Sequence, residues 1–278
     1  MVKATEIDRQ GSPVLSTDTA PAGGGSPTWK PPLTMTFQPR VDCATGALAA
    51  VAVGARVVGP HPDAGTIEQG EPLPAWQPGG FAERVNGEVL AQAIPWFCRH
   101  FVTRPDQRGL SAPLLAATIS TGNLHNVDFT SNLASWCANA GLPQERLVLE
   151  IAESHAMENP LLSMDAMIRL RMKGFQLSLD HFGAGYSSLA LLVRMPFSEV
   201  KVDPALVGTA LASPGSRAAL GSLVELGRNL GVRTTAEGVE DAATLGFLRE
   251  IGCDLAQGRH IAPAMDGADL LRWVRDQG

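Results

Sequence analysis

Residues able to do acid–base or metal chemistry recur in this sequence at one phase, directly after short apolar runs. Leu177–Gly185 reads Leu-Ser-Leu-Asp-His-Phe-Gly-Ala-Gly, an alternating run that ends in the carboxylate of Asp180, the imidazole of His181 and two glycines. A buried strand that delivers polar groups to a tight loop has this pattern. Thr118 and Ser120, Glu150 and Glu153, Lys201 and Asp203, Glu237 and Glu240, and Gln257 stand at the ends of comparable runs. Carboxylates gathered in this way can hold divalent cations, Lys201 can orient water or phosphate, and Glu237, ahead of a flexible glycine, can take a proton. The residues alone therefore suggest metal-assisted hydrolysis of a phosphate ester. Each also has a plainer role. Glu150 can be half of a salt bridge, Lys201 a structural counter-ion, Glu237 with Glu240 a helix cap, and Asp180 with His181 a hydrogen-bonded pair.

The elements that must position these groups repeat. Strand-like runs at Leu114–Ile119, Leu147–Ile151, Gln176–Leu179, Glu199–Val202, Arg233–Thr235 and Asp254–Ala256 alternate with helical stretches such as Phe129–Ala140, Pro160–Lys173, Ser216–Leu230 and Ala242–Ile251. Asp128 is the expected cap of the first of these helices, and Gly141, Gly174, Gly231 and Gly252 are placed to stop one each. Ahead of them, Leu33–Asp42 and Ala47–Val58 flank Thr45-Gly46 as two strands around a turn. Apolar residues from Phe81 to Val102 recur at three- and four-residue steps, which predicts an amphipathic helix with Pro95 as the place for a break. The rhythm predicts an α/β fold, a TIM-like (β/α)8 barrel, a class that runs to about 250 residues and carries its function past the C-terminal strand ends. An open doubly wound sheet is the competing architecture.

Composition narrows the classes. With 278 residues, 45% of them hydrophobic, the chain can bury a sizeable core, and a net charge of −6 gives no general attraction to DNA, RNA or anionic lipid. Cys43, Cys98, Cys137 and Cys253 lie apart in apolar or amphipathic segments, as reduced core thiols do. There is neither an apolar run long enough to span a bilayer nor a signal-peptide pattern, so a cytoplasmic location is expected. Residues 1–32, rich in Gly, Pro, Ser and Thr, read as a disordered leader too short for an input domain, with the barrel domain over 33–278. The Pro- and Gly-rich stretch 59–80 reads as a long irregular loop, a lid or an insertion.

Several pieces of the chain, in order, resemble the EAL domains, phosphodiesterases that linearise the bacterial second messenger cyclic di-GMP. These are Phe37-Gln-Pro, Glu150-Ile-Ala-Glu-Ser154, Leu179–Leu189, Lys201-Val-Asp203, Ala236-Glu-Gly-Val-Glu240 and Gln257-Gly258, within roughly residues 34–265. The resemblance implies a barrel whose strand ends hold two Mg2+ or Mn2+ ions. It assigns metal binding to Glu150 and Asp180, water or phosphate contact to Lys201, base-like duty to Glu237, and nucleotide contacts to Gln38, Arg56, Glu240 and Gln257, with Asp180 counted among the ligand-binding set. It also implies a homodimer formed through Phe182–Leu192.

The departures from the family pattern fall on its metal positions. The signature glutamate is replaced by Ala52, the asparagine of the next strand by Thr118, and the second aspartate of Asp-Asp-Phe-Gly by His181. Alanine offers no ligand, and imidazole suits Zn2+ or Mn2+ better than Mg2+. The expectation is a catalytically inactive, degenerate domain that acts as a cyclic di-GMP receptor or regulatory module, needs no cofactor and answers to a ligand or protein partner. A protein-interaction scaffold indifferent to nucleotide is one alternative. A residual hydrolase with His181 on a different metal, Mn2+ for example, is the other.

Overall fold

The apolar runs are buried on both faces, as strands inside an α/β barrel must be. In the computed structural model, which describes residues 33–57, 80–103, 112–183 and 189–277, eight strands close a barrel in chain order. They are β1 (Leu33–Asp42), β2 (Leu48–Val57), β3 (Leu114–Thr118), β4 (Leu147–Ala152), β5 (Gln176–Phe182), β6 (Glu199–Val202), β7 (Arg233–Ala236) and β8 (Leu255–Ala256). β1 runs antiparallel to both β2 and β8, and every other neighbouring pair is parallel. The expected barrel is thus the fold, and the open sheet is not. The leader at 1–32 and all but the last residue of the 59–80 loop lie outside the described residues.

Period-two alternation divides each strand between the barrel interior and the surrounding helices. Val51, Val53, Leu115, Ala117, Leu149, Ile151, Leu177 and Leu179 join the main apolar cluster with Leu90, Ile94 and Phe97 of α1 (Phe81–Phe97) and Leu133 of α3 (Val127–Ala140). Each Val, Leu, Ile or Phe side chain so taken from water contributes about 1.5–3 kcal/mol. A second cluster joins Val202 and Ala236 to Val207 of α7 (Pro204–Thr209), to Leu220 and Val224 of α8 (Pro214–Leu230), and to Phe247 and Leu248 of α9 (Ala242–Ile251). Residues of the opposite phase, Ala50, Ala52, Ala116, Glu150, Asp180, Glu199 and Lys201, are buried yet belong to neither cluster, because they face the barrel axis.

Local signals explain most helix ends. Gly141, Gly174, Gly231 and Gly252 have φ between 67° and 96°, as expected of C-terminal stops. The N-cap of α3 is Asn126, not Asp128: its side chain accepts from the backbone N–H of Asp128 and Phe129, leaving Asp128 in the first turn. α1 passes through Pro95 without a break and continues as a π-helical turn over Cys98–Val102. α2 (Thr121–His125), α4 (Glu153–Glu158), α5 (Pro160–Met172), α6 (Leu189–Arg194) and α10 (Gly267–Asp276) complete the described α-helices. Among the described residues, no helix is long and apolar enough to cross a membrane.

Candidate functional site

Lys201 is the hub of the barrel mouth. Its Nζ lies 3.0 Å from Glu150 Oε2, 2.8 Å from Asp180 Oδ1 and 2.9 Å from Glu237 Oε1, so the ammonium's three N–H donors face three carboxylates. Parallel register brings them together from adjacent strands: Glu150 pairs with Ser178 on β5, and Lys201 pairs with Thr235 on β7. These are four of the residues that the sequence pattern gathers at one site.

A second buried cation completes the cluster. Arg40, on β1 in the same phase as Gln38, is fully buried. Its guanidinium donates through Nη2 to Glu150 Oε1, through Nη1 to Glu199 Oε1 at 3.3 Å and through Nε to Gln257 Oε1 at 2.5 Å. Gln257 Nε2 donates onward to Gln38 Oε1 at 2.6 Å, and Gln38 Nε2 to the Ala262 carbonyl at 3.0 Å. Glu199 also accepts from Ser178 Oγ at 3.1 Å and pairs with Arg233 Nη2 at 3.1 Å. Neither Arg40 nor Glu199 is among the residues that end an apolar run. The signal that finds them is phase, two residues from Gln38 and two from Lys201.

Burial and charge oppose one another throughout the cluster. Burial alone would lower the Lys201 and Arg40 values, but Asp180, Glu150 and Glu237 around the lysine, and Glu150 and Glu199 around the arginine, raise both. Burial pushes Glu150 and Asp180 up. For Glu150, Arg40 and Lys201 outweigh it, and for Asp180, Lys201 and His181 do, so both end below the usual carboxylate range. Glu237 is raised, because there burial exceeds the pull of Lys201.

His181 sits at a break in the ladder. The β5–β6 register shifts between Leu179 and Phe182, and His181 has φ of 58°, the only positive φ outside glycine among the described residues. That conformation costs an L-residue about 1–2 kcal/mol. It aims the ring so that Nδ1 lies 3.4 Å from Asp203 Oδ2 and Nε2 3.8 Å from Asp180 Oδ2.

Two further expected residues are exposed. Arg56 is exposed at the end of β2, opposite Thr34. Glu240 is exposed and paired with Arg259 Nη2 at 2.5 Å. Neither Glu237 nor Glu240 caps a helix. Asp241 caps α9, accepting from Thr244 N at 2.7 Å.

The donor set does not fit two divalent ions. Ala52, directly beside Gln38 and Ala116, supplies no ligand, and Thr118 Oγ1 lies 3.5 Å from Glu150 Oε2. Both Glu150 oxygens already face cations. Among the described residues, one group that could hold a single ion exists, Asp180 with His181 and Glu237, whose ligand atoms lie within 4.8 Å of one another. Lys201 shares the oxygens of both carboxylates.

A closed barrel with a buried Lys–carboxylate hub at the strand ends defines the class, and the comparisons name it. The EAL domain model matches residues 31–264, and the chain belongs to this family. It is 31% identical over 238 residues to the cyclic di-GMP phosphodiesterase RocR of Pseudomonas aeruginosa, covering 84% of this chain and 58% of that protein. It is 30% identical over 242 residues to the bifunctional diguanylate cyclase/cyclic di-GMP phosphodiesterase MucR of the same species, covering 87% and 34%. The chain thus spans at most about three fifths of these relatives. Among solved structures, the PaMucR phosphodiesterase in complex with c-di-GMP matches with a TM-score of 0.69 at 28% identity, covering 86% of this chain and 94% of that one. Klebsiella pneumoniae BlrP1 in a manganese/cy-diGMP complex matches with a TM-score of 0.68 at 27% identity, covering 84% and 55%.

Proposed function

We propose that this domain is a degenerate member of its family that binds cyclic di-GMP as a receptor or regulatory module and does not hydrolyse it. The observation that carries the reading is Glu150. Its carboxylate is shared between Arg40 and Lys201, and two strands away on β2 Ala52 stands where the family pattern has its signature glutamate. Hydrolysis by two ions needs both to stabilise the attacking and leaving oxygens, and this donor set supports at most one. Binding has weaker demands. Gln38 and Gln257 present amides at the mouth, and Arg56, exposed at the strand end, can meet a phosphate without a metal. Asp180 and Glu240 complete the proposed ligand set, and a cytoplasmic location suits an intracellular nucleotide.

Calorimetric titration with cyclic di-GMP tests this: saturable heat with unchanged nucleotide afterwards is the expected result. No heat at about 100 μM ligand removes the receptor reading and leaves a protein-interaction scaffold. A second reading rests on the Asp180–His181–Glu237 group, which suits one transition-metal ion better than Mg2+. Linear product formed with Mn2+ or Zn2+, and abolished by Lys201→Ala or Glu237→Gln, would establish it.

A further inference from the structure

Arg40 gives the barrel interior a positive charge that no part of the proposed binding uses. The space for its side chain comes from small neighbours. Arg40 pairs with Ala50 across the β1–β2 ladder, and Ala52 and Ala116 follow in register on β2 and β3, all of them buried. Its three polar contacts run to different elements: Glu150 on β4, Glu199 on β6 and Gln257 just past β8. A guanidinium suits such a junction, because its planar fork keeps its charge at every working pH and fixes the direction of each acceptor. A divalent ion placed on Glu150 would face both Arg40 and Lys201 across a few ångströms of protein interior, where like charges repel strongly.

We propose that Arg40 is the resident cation of this barrel. It takes over the charge compensation of Glu150 and, through Gln257, sets the orientation of the Gln257–Gln38 amide pair at the mouth. Folding and ligand binding are therefore independent of divalent metal. The binding half rests on the receptor reading above; the folding half does not. Arg40 is a positioning residue, since it reaches the mouth only through Gln257.

The test is thermal melting of the full chain in EDTA, in Mg2+ and in Mn2+, followed by calorimetry with cyclic di-GMP in the same buffers. Wild type melts within about 1 °C in all three, because an ion that binds the native state would raise the midpoint. Arg40→Met, which leaves Glu150 with Lys201 alone and Glu199 with Arg233 alone, melts about 6–20 °C lower in EDTA and regains part of the loss in Mn2+. Arg40→Lys keeps the charge and stays indifferent to metal. A wild-type midpoint lower by more than about 5 °C in EDTA than in Mn2+, or an Arg40→Met midpoint equal to wild type, overturns the proposal. If Arg40→Met does not fold, Arg40→Lys decides: a gain of more than about 5 °C from Mn2+ overturns the proposal, and none upholds it. In calorimetry the Kd agrees within about threefold with and without chelator, and weakening beyond about tenfold in EDTA overturns the binding half. Absence of binding in every buffer refutes the receptor reading, while the melts still decide the role of Arg40.

Discussion

Replacing Lys201 with methionine removes a charge while nearly keeping its shape, which isolates the electrostatics of the hub. Glu150 retains Arg40, but Asp180 and Glu237 lose the ammonium that lies 2.8 and 2.9 Å from them. A buried carboxylate left in this way stays ionised at a cost of about 3–5 kcal/mol or takes up a proton. For Asp180, protonation at pH 7 starts from an ordinary value of 3.8, and at 1.36 kcal/mol per unit it costs about 4 kcal/mol. For Glu237, starting from 4.5, it costs about 3 kcal/mol. Lys201→Met is therefore expected to lose about 3–5 kcal/mol at pH 7, and the loss shrinks by about 1.4 kcal/mol per pH unit on going to pH 5, as one forced proton becomes easier to bind. In wild type, Glu150 and Asp180 have folded values below their ordinary 4.5 and 3.8. Their stabilisation is complete above those values and is lost only as pH falls through the lower folded ones, so they add no slope between pH 5 and 7. Glu237, raised by burial, costs stability as pH rises above 4.5, and the prediction is accordingly placed on the difference between the two proteins. Urea unfolding followed by tryptophan fluorescence at pH 5, 6 and 7 measures that difference. A loss below about 1 kcal/mol at pH 7, or one of equal size at pH 5, would refute the account of Lys201 as the charge that holds the mouth together.

Other outcomes follow from named contacts. His181→Asp alone yields no hydrolysis of cyclic di-GMP, because Ala52 still supplies no ligand; adding Ala52→Glu and Thr118→Asn raises turnover above background, measured by chromatography of the products. Activity from the single change would contradict the assignment of Ala52 and Thr118. Gly258→Ala puts a Cβ 2.1 Å from the Val239 carbonyl oxygen and displaces the adjacent Gln257. It should lower unfolding stability by more than about 3 kcal/mol in the same urea assay. All four cysteines are buried, and burial pushes Cys137 up to about 12. Ellman's reagent is therefore expected to titrate no thiol in the native protein and four in guanidinium chloride.

Much of this architecture is legible in the sequence because strand and helix periods differ sharply. β6 and α9 have the ends that the pattern predicts, at Glu199–Val202 and Ala242–Ile251. Glu150, Asp180, Lys201 and Glu237 are legible as one cluster because each ends an apolar run, and barrel geometry brings such ends together. What escapes is tertiary. Arg40 near the end of β1 looks like a charge on a solvated hairpin, and only the small side chains of Ala50, Ala52 and Ala116 give it an interior to enter. Glu199 looks like a strand-start residue until Ser178, Arg233 and Arg40 surround it. Asn126 outcompetes Asp128 as a cap because its carbonyl oxygen reaches two backbone donors at once. The contact of Glu240 with Arg259 at the surface also escapes, because no local pattern links residues 19 apart.

The hairpin that brings Gln38 and Arg40 inside also carries a register shift, between Arg40 and Val41. Its turn is fixed by Asp42, whose Oδ1 accepts from Thr45 N and Thr45 Oγ1, both at 2.8 Å, and by Gly46 at φ 73°. Because strand side chains alternate, inserting or deleting one residue here would carry Phe37 and Val41 to the axis and turn Gln38 and Arg40 out toward the helices. This short surface turn, where length variation is ordinarily tolerated, therefore acts as a ruler, and a change of one residue in it would dismantle the mouth without touching any residue that forms it.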